Sequence, residues 1–365
     1  MNKFSLRRLL ICVLLIGSAI FNVAAWMSRS FSDYYTDNIF PKLTSVYGRF
    51  TGLFRVSVGE RLLVLLPILL ILLVISFFIK RDFAKAYRRV LALVLSVVVA
   101  VMSLNCFVLY HCTPLTVAGL NGESRQTQYY LEDLATLRDY IVNKCNEMAE
   151  LMPRDADGNV VYDGDMNEAA RAAMAGIAGE YKRLDGYYVR PKALTFSGFM
   201  SQQYMQGYYF PFSMEANYND LMYIMNKPFT MCHELAHTHG YIYEDEANFL
   251  GFLSCIKSDD PVFVYSGYLG VLNYVNNDFY KAVDEDEYKS HIKISDKVRY
   301  DDQFLTEQAW ELVEKRAILE TKTVKKAADT FIDTNLKVNG VSAGKVSYTH
   351  VVALLLDYYR ANPYN

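Results

Sequence analysis

Cysteine is scarce in this chain: 365 residues hold six, at positions 12, 106, 112, 145, 232 and 255. No two stand as CxxC, which excludes a zinc ribbon, and no spacing among them forces a disulfide framework. Cys232 and Cys255 read as buried thiols. Basic charge is scarce where a nucleic-acid partner would need it. Residues 112–365 carry 24 Lys+Arg against 36 Asp+Glu, a net −12, and an acidic domain of this kind argues against nucleic acid as a partner. Residues 1–111 are the reverse, with 13 basic against 4 acidic side chains and a net +9. Within them three stretches, 9–26, 62–79 and 90–110, hold no charge at all.

Each uncharged stretch is 18–21 residues long, enough at ~1.5 Å per residue to cross ~30 Å of hydrocarbon as a helix. The sequence therefore predicts three transmembrane helices in a membrane anchor over 1–111. For the first, Arg7-Arg8 in front and Ala24-Ala25 at the end also fit a cleaved signal peptide. The loop at 80–89 packs Lys80, Arg81, Lys85, Arg88 and Arg89 into ten residues, and Lys3, Arg7 and Arg8 precede the first span. Positive charge stays on the cytoplasmic side. The N-terminus is thus expected inside a bacterial cytoplasmic membrane, with an odd number of spans leaving residues 112–365 outside it.

The exported part reads as mainly α-helical. Helical spacing covers 124–150, about 166–184, 229–239, 244–257, 262–276, about 300–333 and 348–360. A stretch rich in Gly, Ser and aromatics, TFSGFMSQQYMQGYYFPFSMEANYND, reads as extended chain between them. In the loop that follows the first of these helices, Asp155, Asp157, Asn159 and Asp163 suggest calcium. Its glycine is at the wrong position and the closing acid is missing, so a solvated turn is the better reading.

Residues 232–255, CHELAHTHGYIYEDEANFLGFLSC, carry the chemistry. On a helix, His233 and His237 are four apart and aim two imidazoles at one point. Glu234 beside them can reach a water without being a ligand. That set suits one Zn²⁺, which activates its water while the glutamate takes and returns the proton. Gly240 can end this helix in the left-handed conformation. On the next helix Glu244, Asn248, Gly251 and Cys255 form one stripe. Glu244 is therefore the expected third ligand, with Glu246 the alternative, and Asn248 is expected to steady a ligand from behind. His239 is expected to be exposed past the helix end.

HELAH followed by E-x-x-A-N-F resembles the gluzincin-like metallopeptidases, in which a helix after HExxH supplies a glutamate and, four residues on, Asp or Asn. The three N-terminal spans with GYYFPFSMEAN, CHELAHTHG and EDEANFL in that order resemble an uncharacterised bacterial membrane family, domain of unknown function 3810. That likeness extends to YSGYL (265–269) and NLKVNG…GKVSY (335–348). It implies a zinc peptidase-like, zincin-like domain and assigns no substrate. HExxHxxG also looks like the metzincin turn, but that family needs a ligand where this chain has Tyr243, a poor zinc donor.

The leading reading is a membrane-anchored zinc metalloendopeptidase acting on a protein or peptide through a zinc-bound water, with Glu234 as general base. Oxyanion donors would come from Tyr265, Tyr268 or His350. Gly207, Tyr208, Glu215 and Asn217 would line a strand that holds an extended substrate. The alternative is a non-catalytic zinc-binding sensor or scaffold, in which Cys232 or His239 closes the fourth position.

Overall fold

The structure is a computed structural model and describes residues 3–79, 81–118, 129–338 and 350–364. It is mainly helical, with sixteen α-helices and one small sheet among the described residues. The chain divides into two compact units, Met1–Thr113 with Phe210–Glu215, and Pro114–Tyr209 with Ala216–Asn365.

The first unit contains α1 (Lys3–Met27), α2 (Arg29–Asn38), α3 (Phe40–Thr51), α4 (Val58–Phe78) and α5 (Asp82–Met102), the last running on through a π turn and a 3-10 turn to His111. Three helices are long and apolar enough to cross a membrane: Leu6–Met27, Val58–Phe78 and Asp82–His111. Their leucines, valines and isoleucines stand largely exposed, as a lipid-facing surface requires. The third begins eight residues before the predicted apolar run, because the basic residues 85–89 form its first turns. Residues 27–61, between the first two predicted spans, hold α2 and α3. The start of α4 is capped twice. Ser57 Oγ accepts from the Glu60 N–H, and the buried Glu215 carboxylate accepts from the N–H groups of Val58 at 3.1 Å and Gly59 at 2.8 Å. These groups have no intrahelical partner.

Apart from Phe210 and Glu215, which belong to the first unit, the second unit contains α6 (Leu131–Leu151), α7 (Met166–Gly176), β1 (Lys192–Ala193), α8 (Ser197–Gln202), β2 (Gly207–Phe210), β3 (Glu215–Tyr218), α9 (Lys227–Thr238), α10 (Glu244–Ile256), α11 (Pro261–Ala282), α12 (Glu285–Ser290), α13 (Asp296–Asp301), α14 (Glu307–Arg316), α15 (Thr321–Val338) and α16 (Val351–Ala361). The sheet order is β1-β3-β2, with β1 and β3 parallel in the register Lys192–Asn217. Helices α9, α10 and α11 pack on one another around Leu235, Phe249, Phe252 and Phe263, and α6 closes over α11 with Leu137 and Ile141. Glycine lets α10 rest on the backbone of α9: a Cβ at Gly251 would lie 3.3 Å from both the Phe229 carbonyl and the His233 nitrogen.

The helix expected over 300–333 is three helices. The chain breaks after Asp301 and again after Arg316, and Thr306 restarts it by accepting from the Ala309 N–H. The helix expected over 166–184 stops at Gly176. The Asp155 loop is a turn closed by its own side chain, which accepts from the N–H groups of Asp157 and Asn159. Most of the 335–348 segment lies outside the described residues.

One buried ionic knot ties the unit together. Asp301, fully buried, accepts from both Nη atoms of Arg154 at 2.9 and 2.6 Å and from the hydroxyls of Tyr223 and Tyr265 at 3.2 and 2.8 Å.

Candidate metal centre

Helix α9 starts at Lys227-Pro228, where proline suits the first turn, and ends at Thr238, two residues before Gly240, whose φ of 89° needs glycine. The turn reverses the chain so that α10 begins at Glu244. His233 Nε2 and His237 Nε2 lie 3.1 Å apart, and Glu244 Oε2 lies 3.2 Å from the first and 3.8 Å from the second. Among the described residues this is the one group of three potential metal ligands that converges. A tetrahedral ion with ~2.0–2.1 Å bonds separates its ligands by ~3.4 Å, so the triangle has the size of a zinc site.

The surroundings suit that role. His237 Nδ1 lies 2.7 Å from the Tyr241 carbonyl, which accepts a hydrogen bond from Nδ1–H and leaves the Nε2 lone pair turned to the cluster. Burial, helped by His233 and opposed by Glu244, lowers His237 to about 4, so it is neutral as a ligand must be. Burial also works to lower His233, but the hydrogen bond and charge of Glu244 outweigh it and the net shift is upward. Two buried atoms at the centre have no hydrogen-bond partner, His233 Nδ1 and Glu234 Oε2. Burial pushes the Glu234 carboxyl up to about 8, with the charge of Glu244 adding to the shift and that of His233 opposing it.

Strand β2 passes directly beside Glu234. A Cβ built on Gly207 would lie 2.4 Å from Glu234 Oε1 and 2.7 Å from Thr230 Cγ2. Gly207→Ala is therefore expected to cost about 1–3 kcal/mol of stability by overpacking, read as a lower Tm in thermal unfolding. An unchanged Tm would show that the strand is not seated against the glutamate.

The other predicted residues are placed as follows. Asn248 lies close enough to His233 to favour its charged form, though without ideal geometry to Nδ1, and its amide donates to the Tyr274 hydroxyl at 3.5 Å. Glu246 does not join the cluster: Oε1 accepts from the Leu115 N–H at 2.7 Å. Asn217 Nδ2 donates to the Tyr208 carbonyl and steadies β2 against β3. Glu215 caps α4 in the first unit and does not line the site. Tyr265 is spent on Asp301, Tyr268 faces Tyr140 at 3.4 Å, and His350 is exposed at the start of α16.

His239, expected to be exposed, is buried. Its Nδ1 lies 2.9 Å from the Arg183 carbonyl, its ring packs 4.2 Å from that of Tyr188, and burial lowers it to about 4. Cys232 and Cys255 are free, buried thiols with sulfurs 3.8 Å apart. Burial holds Cys255 well above the ordinary thiol range. Neither cysteine nor His239 is in the ligand group.

Tyr274 is the residue that motif reading missed. Its hydroxyl meets Asn248, and burial together with the Glu244 charge pushes it up to about 12. Tyr209 is a second, its ring 6.0 Å from that of His237.

A family model described as a protein of unknown function (DUF3810) matches residues 35–356. Neither a curated protein nor a solved structure matches the chain.

Proposed function

The chain belongs to this family of unknown function, and because membership assigns no reaction we propose, from the site itself, a membrane-anchored zinc-dependent metallopeptidase. One observation carries the reading: two imidazole nitrogens and one carboxylate converge at zinc-like separations while an adjacent buried carboxyl, Glu234, stays outside the triangle. Nitrogen and oxygen donors of this kind suit zinc, and three of them leave a fourth position for water or substrate. Zinc bound there supplies Lewis acidity to a water and to a scissile carbonyl.

The chain's own residues do the rest. Glu234, outside the triangle and acting as a carboxylate, would accept a proton from the attacking water and pass it to the leaving amine. The Tyr241 carbonyl orients the His237 imidazole. Strand β2 is the end strand of the order β1-β3-β2 and runs beside Glu234 at Gly207, so an extended peptide can pair along it by main-chain hydrogen bonds. The excess of basic residues before the first span and between the second and third supports an N-terminus in the cytoplasm and residues 112–365 outside it.

The test uses the full chain in detergent. It should hold one zinc, hydrolyse members of a peptide library, lose activity to a chelator and regain it with zinc. Glu244→Gln should weaken zinc binding by roughly tenfold or more. A reporter fused after Asn365 should work only outside the cytoplasm. One zinc without hydrolysis would favour the sensor or scaffold reading, and no zinc would overturn both.

A further inference from the structure

The chain that leaves the third span is fastened to the helix that carries the third ligand. The span ends at His111, and four residues on, the buried Leu115 gives its N–H to the buried Glu246. Ala118 N–H reaches the Tyr181 hydroxyl at 3.3 Å, and the Tyr181 ring packs edge-on against Phe249 of α10. Leu115 and Val117 are themselves part of the core around that helix. Residues 115–118 are thus seated on the second unit through two hydrogen bonds and two buried side chains.

Glu244 and Glu246 share the first turn of α10 but are two residues, about 200° of helix rotation, apart. Their carboxylates leave the helix on opposite sides, one toward the two imidazoles and the other toward Leu115. Any rotation of α10 that moves one moves the other. We infer that Glu246 is a positioning residue which, through Leu115, makes the segment following the third span set the reach of Glu244 to the metal. The inference rests on the metal-centre reading above and adds regulation to it: displacement of residues 115–118 loosens metal binding without touching a ligand. Groups that orient metal ligands have effects of about 10–100-fold on metal affinity.

Zinc and cobalt(II) titrations of the full chain in detergent test this, with cobalt absorption reporting the coordination geometry. Glu246→Ala should weaken affinity by about 10–100-fold and alter the cobalt spectrum. Glu246→Asp, which keeps the charge but falls one methylene short of the Leu115 amide, should weaken it less. Glu246→Gln, which still offers an oxygen to that amide, should restore both affinity and spectrum. A lowered Tm with wild-type affinity and spectrum in both the Ala and the Asp variants would overturn the inference. So would retained affinity in Glu244→Gln alongside loss in the Glu246 variants, since Glu246 would then be the ligand. A wild-type chain that takes up neither metal is a separate result: the metal reading itself fails, and the inference with it.

Discussion

Glu234→Gln is expected to lower peptide hydrolysis by about 10²–10⁴-fold while the chain keeps its zinc, because the amide cannot take a proton and Glu234 is outside the ligand triangle. The same change has a second signature in metal-free protein. The folded-state carboxyl titrates at about 8 against an ordinary 4.5, so the native state binds a proton that the unfolded state has released. Stability supplied by that proton is present below about pH 4.5 and is lost as pH climbs toward 8. Glutamine has no proton to lose. With metal chelated, wild type and Glu234→Gln should have similar Tm values near pH 4.5, and the variant should gain steadily up to pH 8. His233 and His237 titrate in both proteins, and because the Glu234 charge, against burial and alongside Glu244, raises His233, the difference reports Glu234 together with its coupling to His233. Parallel Tm curves would refute the burial argument; full activity in the variant would refute the general base.

Asp301→Ala is expected to be the most destabilising single change in the second unit. It strips a fully buried carboxylate from Arg154, Tyr223 and Tyr265 at once. Breaking a buried charge pair on one side costs about 3–5 kcal/mol because the remaining charge stays desolvated, and each kcal/mol lowers Tm by roughly 2–4 °C in a domain of this size. Tyr265→Phe, which removes one hydroxyl and leaves the ion pair, should cost about 0.5–1.5 kcal/mol. Zinc affinity measured well below Tm should be unchanged in both variants, since none of these side chains is among the ligands. A zinc defect in Tyr265→Phe would place that hydroxyl back at the metal.

How much of this was legible beforehand follows from the kind of information each feature needs. Three apolar spans and a mostly helical remainder are written in long, one-dimensional patterns. The positions of His233, His237 and Glu244 are fixed by local geometry, namely a four-residue spacing, a left-handed glycine and the start of the next helix. The wheel favours Glu244 with Glu246 as the alternative; what local pattern does not announce is the group behind α10 that takes Glu246. That is the Leu115 amide, 131 residues away in sequence.

The tyrosines show the same limit. Tyr265 and Tyr274 both lie on α11, nine residues or about two and a half turns apart, so they face opposite sides. Proximity in sequence to the motif favoured Tyr265, whereas the helix turns Tyr274 to Asn248 and sends Tyr265 to Asp301. His239 looked exposed because it follows a helix end. The segment carrying Arg183 and Tyr188 covers it, and no local pattern announces that contact.

The seat of Gly251 has a bearing on which ions the site admits. Its α-carbon lies seven residues, about 10 Å along the helix, from Glu244, at the point where α10 rests on the backbone of α9. Both imidazoles come from one helix and the carboxylate from the other, so the span between donors is a fixed interval between two rigid rods. A cation that demands longer bonds would have to wedge those rods apart against their own packing. On the proposed metal reading, size discrimination would reside in the scaffold, and His233, His237 and Glu244 would only read it out.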